Sequence, residues 1–174
     1  ASRERGVFVV NEGGASALYV IDTTSREYRR VPNIPTGIIS AASFSPDGRQ
    51  LALTLNSAQS PSDTYVLSLG RRPLSTGELT RWTFSEVGGL DTAQFVAPGL
   101  IEYSTFDTVN GAPRQIPAFV YKPRREGPHP VIISIHGGPE GQVRPGFSST
   151  HQYWASEPCA AVSVPNARGC AGYA

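Results

Sequence analysis

Short apolar strands recur along the first half of the chain at a spacing that leaves few architectures open. Val7-Phe8-Val9-Val10-Asn11 is followed by Leu18-Tyr19-Val20-Ile21-Asp22 and then by Tyr28-Arg29-Arg30-Val31. About 45 residues later the same order returns as Leu51-Ala52-Leu53-Thr54-Leu55-Asn56, Thr64-Tyr65-Val66-Leu67-Ser68-Leu69 and Leu79-Thr80-Arg81-Trp82-Thr83. The second unit also shows an opening strand, Ala42-Ser43-Phe44, and a turn, Ser45-Pro46-Asp47-Gly48, whose proline presets φ and whose Asp-Gly supports a tight reversal. Four short strands per unit of roughly 40–50 residues predict the blades of a β-propeller, with the meander of a sandwich or barrel as the alternative. The first unit lacks its opening strand. Repeats of this kind bury their faces only against neighbours, so one and a fraction of them predict further chain upstream.

Composition agrees with strands and loops. Charged residues are 17% of the chain, with 18 Gly and 15 Pro among 174 residues. Net charge is +1 with both signs interspersed, which offers nothing to nucleic acid or to an anionic membrane. No apolar run reaches the roughly 20 residues of a membrane-spanning helix. The chain contains no Met and starts Ala1-Ser2-Arg3, which reads as processed or truncated, leaving cytoplasm and periplasm both open. Cys159 and Cys170 flank a predicted strand, and about ten residues of near-extended chain hold them beyond disulfide reach. They read as small, mostly buried thiols. No His pair stands at metal-ligand spacing with a carboxylate or Cys, so neither metal nor cofactor is expected.

The repeat dissolves between 89 and 99, at Gly89-Leu90-Asp91 and Ala97-Pro98-Gly99. A new pattern then predicts a strand at 100–106, a reversal at Asn110-Gly111, and a returning strand at 116–121 whose Pro117 suggests a sheet edge. The continuous apolar run Val131-Ile132-Ile133-Ser134-Ile135 predicts a strand in a sheet covered on both faces. A helix is expected near 148–156, with a second buried strand at 160–164. A hairpin followed by strand, helix and strand is how an α/β-hydrolase domain starts. The expected division is therefore 1–88 for the last propeller blades, 89–99 for a passage, and 100–174 for the first part of an α/β-hydrolase domain.

The apolar run at 131–135 delivers directly into His136-Gly137-Gly138-Pro139-Glu140-Gly141-Gln142, followed by Arg144-Pro145-Gly146-Phe147. Glycines after a strand can take positive φ and bring backbone N–H groups close to a developing oxyanion. The second predicted strand ends in Val164-Pro165-Asn166-Ala167-Arg168-Gly169. Arg168 can hold a loop through charged hydrogen bonds or line a cleft; the structural role is favoured. Asp22, Asp47, Asp91, Asp107 and Glu140 show no spacing that singles out an acid/base pair. Gly-x-Ser-x-Gly is nowhere in the chain, and Ser148 and Ser149 lack that strand-to-helix elbow.

Together these motifs resemble the prolyl oligopeptidase family of serine peptidases, especially its acylaminoacyl-peptidase-like and dipeptidyl-peptidase-like members. The resemblance is strongest from Phe95 to Tyr173. It implies a propeller capping an α/β-hydrolase domain, oligopeptide substrates, and acyl transfer by a Ser, Asp and His that would all lie beyond Ala174. It implies Gly138 as the backbone oxyanion donor with Gly137 as the alternative, and His136 as a residue that orders this loop rather than a base. Cys170, Ala174, Pro158 and Cys159 depart from the family pattern at loop positions. This stretch by itself is expected to be inactive and poorly stable. An esterase on the same fold, or a propeller-bearing binding protein that kept the loop, are the other readings.

Overall fold

The computed structural model describes residues 4–137 and 141–156, and the backbone of 161–165. Gly138, Cys159, Arg168 and Cys170 lie outside the described residues. Three sheets follow one another along the chain. The first is antiparallel, β1 (Arg5–Glu12), β2 (Ala15–Asp22) and β3 (Tyr28–Arg30) in that order. The second is also antiparallel: β4 (Gly37–Phe44), β5 (Gln50–Ser57), β6 (Ser60–Leu69) and β7 (Thr76–Arg81). The sheets therefore have three and four strands, as the unequal repeat predicts.

Period-two alternation explains how these two sheets meet. In β5, Leu51, Leu53 and Leu55 all point one way and are at most 1% exposed. They pack with Tyr65, Leu67 and Leu69 of β6, Ile39 of β4, and Leu18 and Val20 of β2. Each fully buried leucine contributes about 1.5–3 kcal/mol. On the opposite face of the first sheet, the register partners Phe8 and Tyr19 stack with ring centroids 5.2 Å apart, and Tyr28 meets both edge-on.

Turn chemistry fixes the registers. The β4–β5 reversal closes with Gly48 N–H donating to the Ser45 carbonyl at 2.9 Å, while Asp47 accepts from Ser45 Oγ and Arg49 N–H. Between β8 (Gly99–Val109) and β9 (Ala112–Tyr121), Asn110 and Gly111 have φ of 52° and 80°, the backbone of a tight hairpin turn.

The third sheet runs β10–β11–β9–β8, with β10 (Val131–Ile133) and β11 (Ala161–Pro165) parallel and the remaining pairs antiparallel. Helix α1 (Ser149–Ala155) lies between β10 and β11 in sequence and is capped by Ser148 and Ser156. Two expectations change here. Pro117 sits on an inner strand, not an edge strand. It is tolerated because β11 pairs with β9 only over residues 118–121, so the ladder on that side ends one residue away. The apolar run at 131–135 is not a buried strand among the described residues. β10 pairs on one side only, and Val131, Ile133 and Ile135 are 64%, 63% and 78% exposed.

Candidate functional site

β10 and β11 run the same way, with Val131 opposite Ala161 and Ile133 opposite Ser163. Their carboxyl ends therefore leave the sheet side by side. The two sequence signals, the one opening at His136 and the one that follows Pro165 in the sequence, come after these two strand ends in the chain. In open sheets with parallel strands, ligands bind outside the carboxyl ends of the strands.

His136 is half-buried, and its Nδ1 lies 3.2 Å from the Gly137 carbonyl, which can only accept. A Cβ on Gly141 would come within 3.0 Å of that same Nδ1. A larger residue at 141 would have to push the imidazole by a few tenths of an ångström, so the chain passes tightly against the ring here. Gly137 has no positive φ, contrary to the expectation, and among the described residues nothing lies within 4 Å of where its Cβ would stand.

Downstream of this loop, residues 142–152 are laid against the first two sheets. Asn11 Nδ2 donates to Gln142 Oε1 at 2.5 Å. Arg144 donates from Nε to the Gly14 carbonyl at 2.8 Å and from Nη2 to Ser16 Oγ at 2.9 Å. Pro145 is fully buried. Phe147 N–H donates to Asn56 Oδ1 at 2.6 Å, and its ring packs on Phe95. Behind it, Ala58, Phe119, Tyr121 and Ala155 form a second apolar cluster flanked by Val96, Val143 and Trp154. Burial pushes the Tyr121 phenol up to about 12 and holds the His151 imidazole below its ordinary value.

Gln152 closes this seam. It is 5% exposed, donates to the Ala58 and Val96 carbonyls at 2.8 and 2.9 Å, and accepts from Val96 N–H at 2.7 Å. Gln152→Ala should cost about 2 kcal/mol in urea unfolding, because three backbone groups lose their partner. Gln152→Glu should cost more, since a carboxylate would face two carbonyls. Equal stabilities for the two variants would show that the carbonyls do not depend on the amide.

The carboxylates weighed in the sequence serve turns. Asp22 accepts from Thr24 and Ser25 N–H, Asp91 caps the short 3-10 helix Thr92–Gln94, and Asp107 pairs with Arg114 at 2.7 Å. Glu140 lies outside the described residues. His129 meets the Arg125 carbonyl, and the His151 ring lies between Tyr121 and Trp154. Among the described residues no three His, Cys, Asp or Glu side chains converge as metal ligands would, and no helix is long and apolar enough to cross a membrane. Sequence reasoning noted Arg144 and Pro145 only as context, and missed Asn11, Asn56 and Gln152. Their partners are many residues away, and no local pattern marks them.

No protein-family model and no curated protein matches this sequence. Solved structures do match it. A prolyl endopeptidase structure superposes with a TM-score of 0.69 at 19% identity, over 94% of this chain and 22% of that one. The acylaminoacyl peptidase of Pyrococcus horikoshii gives 0.65 at 20% identity, over 95% and 24%. Prolyl oligopeptidase B of Galerina marginata, solved with a 35mer substrate bound, gives 0.69 at 18% identity, over 97% and 23%. The chain thus spans less than a quarter of the length of these structures. At such identities the likeness is one of fold. The mostly antiparallel sheets are consistent with the propeller-like part of those proteins.

Proposed function

We propose that this chain is part of a serine peptidase of the prolyl oligopeptidase family, in which it supplies the last propeller blades, the passage, and the start of an α/β-hydrolase domain. The divisions are 1–88, 89–99 and 100–174. The observation that carries this reading is the parallel β10–β11 pair, whose first strand ends three residues before His136, with no described atom within 4 Å of a Cβ position on Gly137. The order β8–β9–β11–β10, a hairpin extended by a parallel pair, also fits the opening of such a domain. The exposed apolar residues of β10 suit a parallel sheet that is covered on both faces.

The loop's task in this reading is electrostatic. A serine elsewhere in the protein attacks a peptide carbonyl, a histidine takes its proton, and an aspartate orients the histidine. The charge that develops on the carbonyl oxygen is met by the backbone N–H of Gly138, with Gly137 as the alternative donor. One such donor is worth on the order of 3 kcal/mol in the transition state. His136 and Gly141 hold the turn, and Arg168 braces the neighbouring loop. The substrate is an oligopeptide.

The test is turnover by the full-length protein on blocked peptide and ester substrates. Peptide hydrolysis that is abolished by a serine-directed phosphonate supports the reading, whereas turnover of esters alone makes the protein an esterase. Gly137→Ala adds a decisive variant. Among the described residues a methyl group meets nothing there and has no φ to strain, so stability should stay within about 0.5 kcal/mol. The same methyl enters the approach to the loop, so kcat/KM should fall between about 10- and 100-fold. Unchanged kcat/KM would remove Gly137 from the site.

A further inference from the structure

We infer that Arg144 is a positioning residue that ties the loop beginning at His136 to the two antiparallel sheets. The inference rests on the oxyanion reading of that loop. One end of the loop is fixed by β10. The other end has no strand to hold it: residues 141–148 carry neither helix nor strand, yet the side chains of Gln142 and Arg144 and the Phe147 N–H are bonded to groups of the first or second sheet.

Arg144 is the pivot of these attachments. One planar guanidinium spans the Gly14 carbonyl, in the β1–β2 turn, and Ser16 Oγ, on β2. Ser16 is 7% exposed, and its Oγ also accepts the Ile39 N–H at 3.0 Å. Arg144 therefore grips the point where the first and second sheets are joined. Pro145 then enters the interior, and Gly146 passes so close that a Cβ would stand 3.1 Å from Ile38 and 3.2 Å from Asn56. Three residues upstream of Arg144, Gly141 lies against the His136 ring. With so short a connection, a shift of the guanidinium reaches the loop with little loss. A small misplacement of donors that meet a transition state can cost about 100-fold in rate. Lysine cannot reproduce the grip, because a point charge on a flexible stem does not span two fixed acceptors as a fork does.

The experiment uses the full-length protein with Arg144→Ala and Arg144→Lys. Three quantities are read: steady-state kinetics on a blocked peptide, affinity for a peptide boronic acid that forms a tetrahedral adduct, and amide hydrogen exchange across 136–147. Arg144→Ala should lower kcat by about 10- to 100-fold with KM within about twofold. Boronate affinity should fall in parallel, and exchange should quicken in 141–147. Arg144→Lys should fold and fall between wild type and Arg144→Ala, which keeps the inference decidable if the alanine variant does not fold. Faster exchange with unchanged kcat and boronate affinity would overturn positioning and leave a structural tie. Unchanged exchange would overturn the tie itself. A wild-type protein that neither turns over substrate nor binds boronate refutes the oxyanion reading, and exchange then decides the tie alone.

Discussion

Replacing Asp63 with alanine lowers the unfolding free energy by about 3–5 kcal/mol, the range found when one partner of a buried ion pair is removed. Asp63 is 2% exposed in β6 and serves as a hub. Its Oδ1 accepts from Thr83 Oγ1 at 2.8 Å and from Ser85 N–H at 2.9 Å; its Oδ2 accepts from Ser60 Oγ at 3.0 Å and pairs with Arg81. These contacts fasten the chain leaving β7 back onto the start of β6. Alanine would remove the counter-charge of Arg81, which keeps only its bonds to the Thr83 carbonyl and Ser60 Oγ and its place 4.7 Å from the Phe84 ring centroid, and would take an acceptor from Ser60 Oγ, Thr83 Oγ1 and Ser85 N–H. Asp63→Asn keeps the shape and loses the charge, so its cost should be about half. A loss below about 1 kcal/mol for the alanine variant would place the pair with solvated surface pairs and refute the hub.

The same hub sets an acid limb. Burial pushes the Asp63 carboxyl up, but the donors from Thr83, Arg81, Ser60 and Ser85 outweigh burial and hold it below the ordinary carboxylate value. A lowered folded pKa means that the stabilisation is complete above the unfolded value of about 3.9 and is lost as pH falls through the folded pKa. Urea midpoints followed down from pH 7 should therefore drop less steeply for Asp63→Asn than for wild type.

What the sequence reveals and what it withholds separate along the reach of each interaction. Leu51, Leu53 and Leu55 announce a strand and its buried face because alternation is a property of neighbours. Asn110-Gly111 and Ser45-Pro46-Asp47-Gly48 announce turns because their φ requirements are local, and both form. The apolar run at 131–135 announces a strand too, but β10 covers only Val131–Ile133 and stops short of the glycine loop. Arg144 to Gly14 spans 130 residues, and Asn56 to Phe147 spans 91. No periodicity reports which distant polar group a side chain will meet. The exposure of β10 was hidden for a related reason: an apolar run says that a strand wants cover, not that the described chain provides it. Gly137 follows a strand without taking the positive φ that its place suggests, because a glycine's freedom does not dictate which conformation it adopts.

Gly37→Ala tests the point where blade packing and the loop anchor meet, and should destabilise by about 3 kcal/mol. Gly37 is buried at the start of β4, opposite Ser57 on β5. An added Cβ would stand 2.2 Å from the Asn56 carbonyl oxygen, 2.9 Å from Ser57 Cα and 3.0 Å from the Asn56 carbonyl carbon. All three are backbone atoms, so no side chain can swing aside and one strand must move. Gly37 has no positive φ. Glycine-to-alanine without a clash would stabilise by about 0.4–1 kcal/mol through the unfolded chain, and the strand displacement has to overcome that gain. Asn56 is also the residue whose side chain accepts the Phe147 N–H. Moving β5 there should loosen the 142–147 segment, so amide exchange at Phe147 should quicken and kcat/KM of the full-length protein should fall. Gly137→Ala, by contrast, should lower kcat/KM without touching stability. A Gly37→Ala variant within about 0.5 kcal/mol of wild type would mean that β4 and β5 part freely at this end. Asn56 could then not act as a fixed anchor for the segment that carries the loop.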